Sequence, residues 1–115
     1  MKGGKQMQLT ITARHYDITP HLREHIESKI SKLARYDHQI LEGEIILFQD
    51  RAFDVAEGKI HTSHLVITAK GQGKDMYEAV NDLADKIAAR LERHLEKIRT
   101  RRRRAGREKP GSKIT

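Results

Sequence analysis

The 115-residue chain has no cysteine, no tryptophan, two prolines and only 4% aromatic residues. Without cysteine, a disulfide scaffold and a thiolate metal site are excluded, and a reducing compartment is permitted. No apolar run approaches the roughly 20 residues that span a bilayer. The opening MKGGKQM has no apolar core of the kind a signal peptide needs. These absences predict a soluble, cytoplasmic protein with no membrane partner. The scarcity of aromatics argues against a reader that stacks single-stranded bases on a broad platform. The length fits one domain, able to bury about two-thirds of its unfolded surface.

Catalytic signatures are lacking as well. There is no cysteine nucleophile, no G-x-S-x-G and no P-loop. Gly71-Gln72-Gly73-Lys74 precedes a helix start, where a phosphate can bind, but its spacing is that of a turn. Seven histidines raise the question of a metal. His21 and His25 share a helix face, yet residues 21–25 read H-L-R-E-H and not H-E-x-x-H. The expectation is a protein that is not an enzyme, with no cofactor, no metal and no small-molecule substrate.

What the chain has is basic charge, placed unevenly. Lys and Arg total 23 against 16 Asp and Glu, a net charge of +7. Eight of the bases and one acid fall within residues 99–115, so the first 98 residues hold 15 of each sign. The tail, RTRRRRAGREKPGSKIT, is expected to be disordered when unbound. Its arginines, Arg101 and Arg102 among them, suit a polyanion, because guanidinium groups bind phosphate bidentately and stack on bases. A solubilising tail is the plainer alternative. Expected boundaries are a flexible leader over 1–6, a folded domain over 7–99 and a disordered basic tail over 100–115.

Periodicity supplies the elements of the domain. Leu9, Ile11 and Ala13 alternate with polar residues, predicting a strand β1 over 7–13. Thr19-Pro20 is a helix start, with Thr19 as N-cap and Pro20 in the first turn. Leu22, Ile26, Ile30 and Leu33 then draw one apolar face of a helix α1 that ends near Tyr36. Three strands follow, β2 over 44–50, β3 over 54–61 and β4 over 65–69. Gly58 suggests a bulge in β3, Thr62-Ser63-His64 a turn, and Gly71-Gln72-Gly73 the end of β4. Asp75, with Glu78 three residues on, caps a long helix α2 that runs from Met76 to about Arg99. A β-α-β unit makes a right-handed crossover between parallel strands. The prediction is therefore an α+β fold with two layers, β-α-β-β-β-α. Its four-stranded sheet carries two roughly parallel helices on one face.

At about 100° per residue, Lys86, Arg90, Arg93 and Lys97 fall within about 60° of one another on α2. Glu78, Asp82, Asp85, Glu92 and Glu96 take the back. On α1, His25, Lys29 and Lys32 lie on the flank of the same hand. With parallel helices one such flank lines the inter-helix groove and the other lies outside it. The two together predict a positive strip able to meet several phosphates, with binding that weakens steeply in salt. A solvated face laced by i,i+4 pairs is the structural alternative.

Residues 11–36, ITARHYDITPHLREHIESKISKLARY, and 74–97, KDMYEAVNDLADKIAARLERHLEK, resemble the ribosome hibernation promoting factor and ribosome-associated inhibitor family, also called the sigma-54 modulation protein family. The I-T-P-x-[LI]-R opening and the D-M-Y-x-A-[IV]-[ND]…D-K-[IL] signature carry the likeness, over about Met7–Lys97. The resemblance implies binding to rRNA of the small ribosomal subunit, in the mRNA and tRNA channel across the A and P sites. It implies a block of translation under stress or in stationary phase. By matching positions, the rRNA contacts would come from Arg23, Lys29, Lys32 and Arg35 on α1, and Lys86, Arg90, Arg93 and Lys97 on α2. Many relatives have Gln where this chain has Arg90, and long members add a C-terminal domain that pairs ribosomes. Pairing of ribosomes by this chain would then need a second hibernation factor. A transcription modulator acting on sigma-54 or polymerase, and a generic double-stranded RNA binder, are the alternatives.

Overall fold

A computed structural model describes residues 8–35, 40–63 and 65–108. The order is β1 (Gln8–Ala13), α1 (Pro20–Ser31), a 3-10 turn (Lys32–Arg35), β2 (Ile40–Asp50), β3 (Phe53–Thr62), β4 (Val66–Gly73) and α2 (Met76–Glu108). The expected leader over 1–6, His64 of the expected turn, and residues 109–115 of the tail lie outside the described residues.

The sheet runs β1-β2-β3-β4, with β1 parallel to β2 and the other neighbours antiparallel. This is the α+β topology expected from the crossover rule. Thr19 caps α1, its Oγ1 accepting from the Leu22 N–H at 3.1 Å, and Pro20 occupies the first turn. Asp75 caps α2, its Oδ1 accepting from the Glu78 N–H at 2.9 Å. Glu78 reaches back to the Lys74 N–H at 2.9 Å, so both side chains satisfy donors at the helix start.

Both helices cover one face of the sheet. Leu22, Ile26 and Ile30 of α1 meet Val80, Leu83 and Ile87 of α2 above Ile45, Leu47, Ala56 and Ile60. Contacts along the seam rise together in number. His21 and His25 pack on Tyr77, with ring centroids 5.7 and 5.1 Å apart, and His25 Nε2 lies 2.8 Å from Asn81 Oδ1. The helices are therefore parallel.

Against expectation β2 begins at Ile40 and not at 44, and α1 gives way to the 3-10 turn after Ser31; three further differences have a physical reason. Gly58 is not a bulge. It pairs in register with Ile45 and Ala69, and the irregularity in β2 falls at Ile40/Glu42. A Cβ at 58 would stand 3.0 Å from Leu83 Cδ2, so β3 passes close under α2 there and a side chain would press on the end of Leu83. Gly71-Gln72-Gly73 belongs to β4, not to a turn after it. A Cβ on Gly71 would be 2.3 Å from the Leu83 nitrogen and 2.4 Å from the Ala79 oxygen. That glycine lets the helix backbone rest on the strand. Finally, α2 continues to Glu108, past the expected end near Arg99 and into the segment expected to be disordered. Once a long helix is nucleated it propagates through good helix formers, and apart from Thr100 arginine and alanine fill positions 99–105.

Candidate nucleic-acid interface

The basic flank of α2 lies over β4, the edge strand. Lys86 Nζ donates to the Lys70 carbonyl oxygen at 2.9 Å and stands 3.3 Å from Asp82 Oδ2. Arg90 Nη1 donates to the Thr68 carbonyl oxygen at 2.9 Å. Edge-strand carbonyls that face outward need partners or water, and these two cations supply them. Arg93 and Lys97 continue the row, both exposed. Among the described residues, no carboxylate forms a salt bridge with Arg90, Arg93 or Lys97.

Helix and strand enclose a trough in two adjoining parts. One, about 500 Å³, is lined by Ala69, Lys70, Lys86, Ala89, Arg90 and Arg93. The other, about 210 Å³, is lined by Leu65, Val66, Ile67, Arg90, Arg93, His94 and Lys97. Arg90 and Arg93 belong to both, so the trough is continuous. From Lys86 to Lys97 it follows α2 for about 16 Å. Its wall is cationic and its floor is strand backbone with small or apolar side chains. A phosphodiester backbone fits that description, since phosphate meets cations and sugar meets apolar surface.

Lys70, Val66 and His94 belong to this trough and were not singled out by sequence. Val66 and Lys70 come beside Arg90 and Arg93 only through the packing of α2 on β4, whereas His94 follows Arg93 on α2, four residues after Arg90, so helical spacing alone could have placed it there. Lys70 also reaches across the sheet to Glu57, at 3.9 Å.

The cations of α1 are placed differently. His25 faces Asn81 across the seam, and Lys29, one turn further, is half-buried on the same flank. Lys32 is exposed at the start of the 3-10 turn, and Arg35 ends that turn. Arg23 is exposed on the opposite flank, away from His25. On α2 the residues that face α1, Tyr77 and Asn81, lie across the helix from the basic row. The acidic back of α2 stands between the two groups. The expected single strip is thus divided into a trough on the β4 side and a smaller group at the α1 side. Arg101 and Arg102 lie on the last turns of α2, beyond the trough.

At the other end of the seam, Tyr16 is half-buried and its phenol is raised above 10.0. Burial is the main cause, with the charge of Asp54 second and smaller contributions from Tyr77 and Asp75. Tyr16 stays neutral and plays no part in the cationic trough. Among the described residues no helix is long and apolar enough to cross a membrane.

The model of a protein family described as "Sigma 54 modulation protein / S30EA ribosomal protein" matches residues 9–99. A ribosome hibernation promoting factor from Klebsiella oxytoca is 34% identical over 93 residues, which are 81% of this chain and 98% of that protein. A ribosome-associated factor Y from Haemophilus influenzae is 33% identical over 97 residues, covering 84% of this chain and 90% of that one. Two solved structures share the fold. A ribosomal subunit interface protein from Coxiella burnetii matches with a TM-score of 0.74 at 24% identity, over 78% of this chain and 99% of that one. The N-terminal domain of Protein Y from Thermus thermophilus matches with a TM-score of 0.71 at 20% identity, over 77% and 99%.

Proposed function

Because the chain belongs to the sigma 54 modulation protein / S30EA ribosomal protein family, we propose that it is a ribosome hibernation factor, binding small-subunit rRNA in the mRNA and tRNA channel near the A and P sites. It acts in the cytoplasm under stress or in stationary phase. Its mechanism is occupancy: a folded body fills the channel and excludes mRNA and tRNA, with no bond made or broken.

One observation carries the reading, the trough between α2 and β4. Arg93 and Lys97 project from it without carboxylate partners among the described residues. Structured RNA offers phosphates and 2′-hydroxyls more readily than base edges, and a cationic trough meets those groups by charge and shape. Lys86 and Arg90 are already anchored to strand carbonyls. They act as pre-positioned cations at the upper end, while Arg93 and Lys97 have their donors available. The α1 cations Arg23, Lys29, Lys32 and Arg35 make a secondary contact, and Arg101 and Arg102 extend the reach of α2.

The test is sedimentation of the full chain with purified small subunits across a salt series. Co-pelleting that falls with salt, and loss of pelleting by Arg93→Glu/Lys97→Glu with unchanged circular dichroism, is the expected result. Pelleting of the double variant equal to the parent overturns the assignment of the trough. In a gradient of cell lysate, a transcription modulator would remain apart from ribosomal particles. A generic duplex binder would bind a plain RNA helix as tightly as the subunit.

A further inference from the structure

We propose that the open face of the sheet, at the end where β2 turns into β3, is a second RNA contact that takes one unpaired nucleobase. It rests on the reading that the partner is RNA, but it uses residues on the opposite side of the sheet from the helices. Cross-strand pairing lines up four side chains there. Arg14 follows β1 and its N–H donates to the Leu47 oxygen at 2.9 Å, which seats it beside Phe48. Phe48 pairs with Val55, and Val55 with Gln72. Leu47 and Ala56 point into the core, so their chain neighbours Phe48 and Val55 stand on the other face.

The row has the chemistry of a nucleotide site. The guanidinium carbon of Arg14 lies 5.2 Å from the centroid of the Phe48 ring. Val55 is 2% exposed yet is not part of the core cluster between sheet and helices, so it is a covered apolar floor on the open face. Gln72 ends the row with an exposed side chain. Phe53 lies two residues from Val55 on the same face and is 44% exposed. Beside it, Arg51 is exposed at the hairpin tip, held at φ 59°. The Asp54 carboxylate is drawn to the helix side by Gln49 Nε2 at 2.8 Å. Of the acids left on this face nearby, Glu57 meets Lys70, and Asp50 stands opposite Phe53.

A nucleobase presents a π face for Phe53, a donor and acceptor edge for the Gln72 amide, and an attached phosphate for Arg14 or Arg51. Base–aromatic stacking with arginine cation–π support is the usual chemistry of single-strand contacts. A duplex hides its base faces, so the occupant is unpaired. Few aromatics in the composition excluded a broad platform, but two phenylalanines on one open face are enough for a single base.

The chain has no tryptophan, so Phe53→Trp places the one indole at this position. The full-length variant is titrated with a six-nucleotide oligouridylate, with an abasic ribose-phosphate oligomer of equal length, and with a 16-base-pair RNA duplex. Saturable quenching by oligouridylate alone is expected. Phe53→Ala and Phe53→Leu should each weaken oligouridylate binding about five- to hundredfold, the leucine variant showing that the ring and not its apolar area is responsible. Quenching by the abasic oligomer as strong as by oligouridylate overturns the proposal. So does unchanged affinity in Phe53→Ala and Phe53→Leu, which would leave the surface to a protein partner. Small-subunit pelleting is read in parallel. Its loss in Arg93→Glu/Lys97→Glu reports on the trough, so either reading can fail without the other.

Discussion

The two helices carry bases on flanks of the same hand, and the fold uses them in different ways. On α1 the flank turns into the seam, where His25 meets Asn81 and Lys29 is half-buried. On α2 the flank hangs over the sheet edge, where Lys86 and Arg90 bond strand carbonyls and Arg93 and Lys97 extend beyond them. Parallel packing is the cause. Two helices side by side in the same direction cannot both turn the same-handed flank outward. The lesson is that a wheel can sort charges by sign, while a neighbour decides which of them a ligand reaches.

The comparison depends on α2 lying flat on β4, so the strongest way to break it is to lift the helix. Gly71→Ala places a Cβ 2.3 Å from the Leu83 nitrogen, against helix backbone that has no rotamer to move. The expected cost is about 3 kcal/mol or more, read as a fall in urea midpoint with an unchanged slope. A midpoint within error of the parent would mean that the helix does not rest on Gly71.

Next in size is the trough itself. Arg93→Glu/Lys97→Glu should weaken small-subunit binding about a hundredfold or more, since each charge-assisted hydrogen bond lost costs about 1.5–3 kcal/mol. The log–log salt slope should fall by about 2. The counterpart, Lys29→Ala/Lys32→Ala on α1, should weaken binding by less than tenfold. An equal or larger loss from the α1 pair would reverse the ranking of the two flanks.

Smaller effects test the seam. His25→Ala removes the hydrogen bond to Asn81 and a ring contact with Tyr77. It should cost about 1 kcal/mol in urea unfolding and leave binding to the trough unchanged. The smallest is a pH effect at Tyr16. Its folded value is raised above 10.0, chiefly by burial. The folded state therefore holds the phenol proton more tightly than the unfolded chain. That contribution is present below pH 10 and is lost as pH rises through the folded value. Stability of the parent should decline more steeply above pH 10 than that of Tyr16→Phe, whose ring cannot ionise.

Much of this was legible in the chain, because it is written in local periods. Leu22, Ile26 and Ile30 recur at helical spacing and are buried, and Leu9, Ile11 and Ala13 alternate and face the core. The caps at Thr19 and Asp75 are local hydrogen bonds, visible as residue types at fixed offsets. The extent of β4 was not legible. Gly71-Gln72-Gly73 looks like punctuation until α2 is seen lying on it. Gly58 looked like a bulge for the same reason, since a missing side chain signals close approach without saying of what. The candidate site was half legible. Lys86, Arg90, Arg93 and Lys97 form a row that the helical period shows, but Val66 and Lys70 come from β4 and meet that row only after folding.

By itself, then, the sequence determined the order of elements, their amphipathic faces, the segregation of charge on α2 and the parallel pairing of β1 with β2, all properties of short segments and of L-amino-acid backbone geometry. Tertiary structure alone decided which basic flank overhangs an edge strand, which cations are tied to strand carbonyls, and that Arg14, Phe48, Val55 and Gln72 form one row. Those outcomes depend on strand register and helix docking, and registers are set by contacts between residues far apart in the chain, where no local period records them.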